Sequence, residues 1–265
     1  MDAPMPEDDA ILLRRDAGGV AWLTLNRPAA RNALSVGLIE ALDAALADAA
    51  ADVAVKVVVI AGNGPAFCAG HDLREMRANP GREAYEALFA SCAALMTRIV
   101  RLPKPVIARV HGIATAAGCQ IVASCDLAVA ANTARFATPG VNIGLFCSTP
   151  MVALSRAVGR KAAMEMLLTG DLIDAARARE LGLINRIVPE PELDDAVQAL
   201  AAQIAAKSPL TLAIGKELFH AQAELPLDDA YRLAAAAMTR NMLARDAAEG
   251  IDAFLSKRAP VWTGT

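Results

Sequence analysis

The sequence predicts an α/β core followed by a helical C-terminal region, and three observations carry that reading. Continuous β-branched runs, of which VKVVVIAG (55–62) is the clearest, read as strands buried on both faces. Segments with apolar residues at helical spacing lie between them. After Met151 alanine-rich helical stretches take over and run to about Ala259, interrupted by NRIVP (185–189). Strands alternating with helices, then a run of helices, give this architecture.

The elements follow in order. Two short apolar runs flank Asp16-Ala-Gly-Gly within residues 10–26, which is a hairpin signal. Residues 35–51 place Leu38, Ile39, Leu42 and Leu46 on one helical face, with Ser35 able to cap the start. The strand 55–62 leads through a loop (63–76) to a helix from about 82 to 101. PVIARVHG (105–112) is a further strand, followed by the small-residue stretch TAAGCQIVASCD (115–126) and the short strands DLAVAA and ARFAT. No internal repeat or low-complexity linker is present. The change of character near Gly170 reads as a change of layer.

Composition narrows the function classes. The chain has 265 residues, 55% of them hydrophobic, which is ample for a core and excludes a disordered chain. A net charge of −3 excludes a strongly basic nucleic-acid surface. The longest uncharged stretch, 136–155, contains Pro139, Pro150, Gly140 and Gly144, so it does not read as a membrane span. MDAPMPEDDA lacks a basic and apolar leader, and a cytoplasmic protein is expected. Five cysteines at irregular spacing argue against a disulfide framework; Cys119 and Cys125 are expected to be small buried hydrophobes. His71, His111 and His220 are too scattered for a metal cluster, and none is expected.

Nucleotide signatures fail: GNGPAF lacks the last glycine of G-x-G-x-x-G, and no Gly-Lys-Ser/Thr occurs. Two loops of similar design remain, FCAGHD (67–72) and ATAAGCQ (114–120), each after a strand and before a helix. Backbone N–H groups at such places can converge on one oxygen, with the helix dipole favouring negative charge. Two such donors would form an oxyanion hole for an acyl carbonyl becoming an enolate. The same small residues also suit close helix–strand packing, and the pattern alone leaves both readings open.

Five ordered blocks then resemble the crotonase (enoyl-CoA hydratase/isomerase) superfamily: LNRPAARNALS (25–35), AFCAGHDLREM (66–76), KPVIARVHGIATAAGCQIVASCDLAVA (104–130), residues 156–189 and AFLSKRAPVW (253–262). GHD, ATAAGCQ and ATPGVNIGLFCSTP look closest to the enoyl-CoA hydratase domain-containing subgroup, a branch with relatives in mitochondria. The resemblance implies a ClpP/crotonase-like ββα spiral core over 1–190 and a helical trimerisation region over 191–265, assembled as a homo-trimer or dimer of trimers. It implies an acyl-CoA thioester as ligand, with coenzyme A as part of the substrate and no other cofactor. It places the two oxyanion donors on the N–H groups of His71 and Ala117. It gives Ala69, Gly70, Asp72 and Leu73 to the adenine and pantetheine, Arg27 and Arg31 to phosphates, and Phe254 and Lys257 to coenzyme A. Asp72 is also expected to pair with a base or cap the next helix, and Asp126 to be structural.

The chain departs from the family pattern where hydratases carry two glutamates: those positions are Gln120 and Gly140. Neither passes a proton. Each general acid or base typically contributes ~10²–10⁴-fold, so two-glutamate hydration is not expected to be efficient. Cys147 and Ser148 are the candidates for a nucleophile or proton carrier near the second position, and a hydratase with different acids would draw on Glu75, Glu83 or Glu86; the His71 side chain can reach the pocket or meet solvent or a phosphate. An isomerase, thioesterase or decarboxylase using other residues stays open beside a non-catalytic acyl-CoA binder or regulator.

Overall fold

The computed structural model describes residues 10–265. The acidic start on which the cytoplasmic reading rested lies mostly outside them. A hairpin opens the chain, β1 (Leu12–Ala17) and β2 (Val20–Leu25), closed by Gly18 and Gly19 at φ 59° and 79°. Its register pairs Ala17 with Val20, as the Asp-Ala-Gly-Gly signal requires. Helix α1 (Val36–Ala51) begins where expected, with Ser35 Oγ accepting the N–H of Leu38. Its buried residues include Leu38, Ile39, Leu42 and Leu46.

Strand β3 (Val57–Gly62) is buried at every position, and the period of two explains why. Val58 and Ile60 face a core formed with α1 and with α3 (Arg82–Arg101). Val57 and Val59 face a second core closed by Leu193, Val197 and Leu200 of α8 (Leu193–Ala205). That helix starts inside the stretch assigned from sequence to the helical region, yet it forms a layer of the sheet. A short helix, α2 (Leu73–Ala78), separates β3 from α3.

The next two units each contribute two strands and a helix: β4 (Val106–Val110), β5 (Ile113–Thr115) and α4 (Ala117–Ser124), then β6 (Leu127–Ala131), β7 (Arg135–Ala137) and α5 (Ser148–Ala157). First strands join a six-stranded sheet of order β1-β2-β3-β4-β6-β9, where β9 is Arg186–Val188. Second strands join a separate sheet of order β5-β7-β8, with β8 spanning Ile173–Asp174. Each ββα unit thus turns between two sheets, and the chain advances as a spiral. Helices α6 (Arg160–Thr169), α7 (Ala175–Glu180), α9 (Pro209–Gln222), α10 (Leu227–Met242) and α11 (Arg245–Leu255) complete it.

Asp126, expected to be structural, accepts the N–H of Val106 at 2.7 Å and the ammonium of Lys216 at 2.6 Å. It fastens α9 to the end of β4. His111 does similar work at the other end of that strand. Arg109 Nη1 donates to His111 Nδ1 at 2.7 Å, which leaves Nε2–H to donate to Gly64 O at 2.7 Å. Burial holds all three histidines below the ordinary imidazole value. The unfolded chain therefore takes up protons first as pH falls through about 6.5. Stability present above that pH is expected to decline below it, before carboxylates titrate. Urea midpoints at pH 7.5 and 5.5 test this, and His111→Gln should flatten the decline. Equal midpoints would contradict the assignment.

Candidate active site

The two small-residue loops run side by side. Phe67 N–H donates to His111 O and Cys68 N–H to Ile113 O, while Thr115 N–H returns to Cys68 O, at 3.0–3.1 Å. Thr115 Oγ1 adds a bond to Ala69 O at 3.1 Å. Glycine permits the approach. A β-carbon on Gly118 would stand 2.1 Å from Cys68 O, and one on Gly70 would stand 2.8 Å from the Ala116 methyl and 3.5 Å from Ala117 N. Gly70 itself sits at φ 96°.

Among the described residues, the local structure leaves each expected donor amide without a backbone partner. His71 bridges Leu34 in parallel, and the bonds of that bridge use neighbours: Leu34 N–H to Gly70 O at 2.7 Å and Asp72 N–H to Leu34 O at 2.9 Å. The N–H of His71 consequently faces away from that strand. Ala117 is the first residue of α4, where amides lack partners within the helix. Ala116 is held at φ 50°, ψ −117° to make the turn, a conformation costing a non-glycine residue about 1–3 kcal/mol.

Each loop also carries one side-chain atom without a partner. Among the described residues, the buried side-chain polar atoms without a hydrogen-bond partner are His71 Nε2 and Gln120 Oε1. A buried orphan of this kind costs about 1–3 kcal/mol and calls for a ligand or an ordered water. Gln120 is only 4% exposed. The His71 ring meets Phe89 of α3 edge-on, with centroids 5.6 Å apart. Helix α3 also packs on α4, which carries Gln120.

The remaining candidates are committed elsewhere or lie outside. Asp72 caps α2 through the N–H groups of Arg74 and Glu75 and pairs with Arg27 at 2.9 Å, which holds its carboxyl below the usual range. Arg27, expected at a phosphate, already has that carboxylate and Ala33 O as partners. Arg31 is exposed, and its carbonyl accepts the N–H of Ala69. Glu75 accepts the N–H of Val36, Glu86 pairs with Arg82 on the helix surface, and Glu83 is exposed. Cys147 Sγ accepts the N–H of Gly140 at 3.3 Å, and burial raises its thiol. Ser148 is exposed and donates to Phe146 O. Leu73 is exposed beside the first loop. Phe254 and Lys257 are exposed at the end of α11, whose contacts are with α9 and α10. Asn32 is a site residue that sequence reasoning missed. Fully buried, it accepts Arg27 N–H and donates to Asn63 O and Ala66 O, fixing the start of the first loop.

A two-sheet spiral of ββα units, with two glycine-bearing loops meeting at the strand ends, defines a crotonase-type protein. The family model described as enoyl-CoA hydratase/isomerase matches residues 15–265. A crystal structure of an enoyl-CoA hydratase from Mycobacterium smegmatis superposes with a TM-score of 0.93 at 56% identity, covering 96% of this chain and 99% of that one. The human enoyl-CoA hydratase domain-containing protein 3 does so at 0.93 and 45%, covering 96% and 100%. The mitochondrial enoyl-CoA hydratase domain-containing protein 3 of Rattus norvegicus is 46% identical over 94% of this chain and 83% of its own length. The chain belongs to the enoyl-CoA hydratase/isomerase family, in its enoyl-CoA hydratase domain-containing subgroup.

One expectation is corrected. The cytoplasmic reading does not stand, because curated relatives at 46% and 47% identity are named mitochondrial. It rested on the composition of the first ten residues, which carries no information about the rest of the chain. No helix among the described residues is long and apolar enough to cross a membrane, and no group of three metal-ligating side chains occurs among them.

Proposed function

We propose that the chain binds an acyl-CoA thioester and polarises its carbonyl between the N–H groups of His71 and Ala117. The observation that supports this most is the pair of orphaned polar atoms, His71 Nε2 and Gln120 Oε1, on two loops in contact. Asp72, Gly70 and Leu73 border the ligand on the first loop, with Arg31 outside it. Phe254 and Lys257 would reach coenzyme A from a neighbouring copy in a trimer or hexamer.

Two-glutamate water addition does not fit the residues. Gln120 binds but passes no proton, and position 140 has no room for a side chain. A β-carbon there would stand 2.7 Å from Leu145 O and 2.9 Å from Cys147 Sγ. Gly140→Glu is therefore expected to lower stability by about 1–3 kcal/mol, since backbone must move to admit it. It should confer no hydration, alone or with Gln120→Glu. Thermal unfolding reads the first effect, and loss of the enoyl-thioester absorbance of crotonyl-CoA reads the second. Hydration by the wild type in the ordinary hydratase range would refute this reading. Calorimetry with crotonyl-CoA tests the binding itself, and absence of binding would refute the site. The tight packing at Gly140 also favours a second reading, a binder that holds an acyl-CoA without turnover.

A further inference from the structure

Proton transfer in this site needs a titratable atom that is both sheltered and free, and most candidates fail one condition. Asp72 and Glu75 are engaged by backbone amides, and Asp72 also by Arg27. Cys147 is tied to Gly140 N–H, and Tyr85 donates to Met76 O. Glu83, Glu86 and Ser148 face solvent. Gln120 is sheltered and free but does not titrate. His71 meets both conditions: Nε2 is buried without a partner, and the ring is set edge-on against Phe89.

We propose that the His71 imidazole is the proton carrier of the site, acting on the α-carbon of a thioester whose carbonyl oxygen is held by the amides of His71 and Ala117. The inference rests on the acyl-CoA reading given above. With the ring in its Nδ1–H tautomer, the Nε2 lone pair takes the α-proton. The C–H electron pair becomes a carbon–carbon double bond to the carbonyl carbon, and the carbonyl π pair moves onto oxygen. The resulting enolate and imidazolium are equal and opposite charges, and each lowers the cost of the other. Burial favours the neutral, basic ring beforehand. The proton then returns to the α-carbon, or to the γ-carbon of a β,γ-unsaturated acyl group, which moves the double bond into conjugation. The Gln120 amide, fixed in charge, orients the acyl chain.

Butyryl-CoA in D₂O is the probe. Wild-type protein should bind it and exchange its α-protons for deuterium, read by NMR. His71→Gln should bind it comparably and exchange ~10²–10⁴-fold more slowly. Free imidazole added to His71→Ala should restore part of the rate, which only a folded variant can show. Binding by wild type without exchange, or unchanged exchange in His71→Gln, would overturn the proposal and leave the site reading intact. No binding of butyryl-CoA by wild type would overturn both.

Discussion

Replacing Gly118 by alanine is expected to lower the unfolding free energy by about 3 kcal/mol and to abolish measurable butyryl-CoA binding. The added methyl would stand 2.1 Å from the carbonyl oxygen of Cys68. That oxygen has little freedom to retreat, because Cys68 is pinned by ladder bonds to Ile113 and Thr115 on either side. Relief comes only by parting the two loops, and parting them moves Ala117 away from His71. Both effects thus share one cause, and urea denaturation with calorimetry should report them together. A variant within about 0.5 kcal/mol of wild type would show that the loops do not pack as described.

Lys216→Ala is expected to cost a comparable amount, about 3–5 kcal/mol, for a different reason. The ammonium donates to Ile99 O, Lys104 O and Asp126 Oδ2, and the side chain is only 8% exposed. Its removal strips a largely buried carboxylate and two carbonyls of a donor at once. Lys216→Met, which keeps the stem, should lose nearly as much, because the loss is electrostatic and not one of packing. In a double-mutant cycle Asp126→Asn should recover part of the loss. If Met restored wild-type stability, the ion pair would be irrelevant to how α9 is fastened.

What the sequence revealed divides along physical lines. The strand at β3, the helix at α1 with its serine cap, and the first hairpin were legible because their signals are local. Burial on both faces makes a run of Val and Ile, burial on one makes a helical stripe, and a tight turn requires glycine. The second sheet was legible only in part, at β7. Strand β5 follows β4 almost without a break and β8 has only two residues, while the partner of both, β7, is distant in sequence. Asp126 was read as structural without its partner, because Lys216 lies 90 residues further on.

The site shows the same division. The small residues at 67–72 and 114–120 pointed to close approach, while packing and ligand binding were both left open. Their contact through Cys68 and Thr115 arises only in the fold, as does the packing of His71 against Phe89. Asn32 carried no signal in its own neighbourhood, because its three hydrogen bonds join Arg27 to Asn63 and Ala66. The crowding at Gly140 was equally hidden, since the side chain that fills the space is Cys147.

All five cysteines lie in the interior or at its margin, and burial raises every thiol, to about 11 for Cys92 and about 12 for Cys68 and Cys119. Near neutrality almost no thiolate is available, and alkylating reagents react with thiolate. The native chain is therefore a silent background for maleimide chemistry. A lone cysteine introduced at exposed Leu73 would be the one position to accept a fluorophore. Such a label would sit beside the first donor loop and report ligand arrival in real time, with no native cysteine to be removed first.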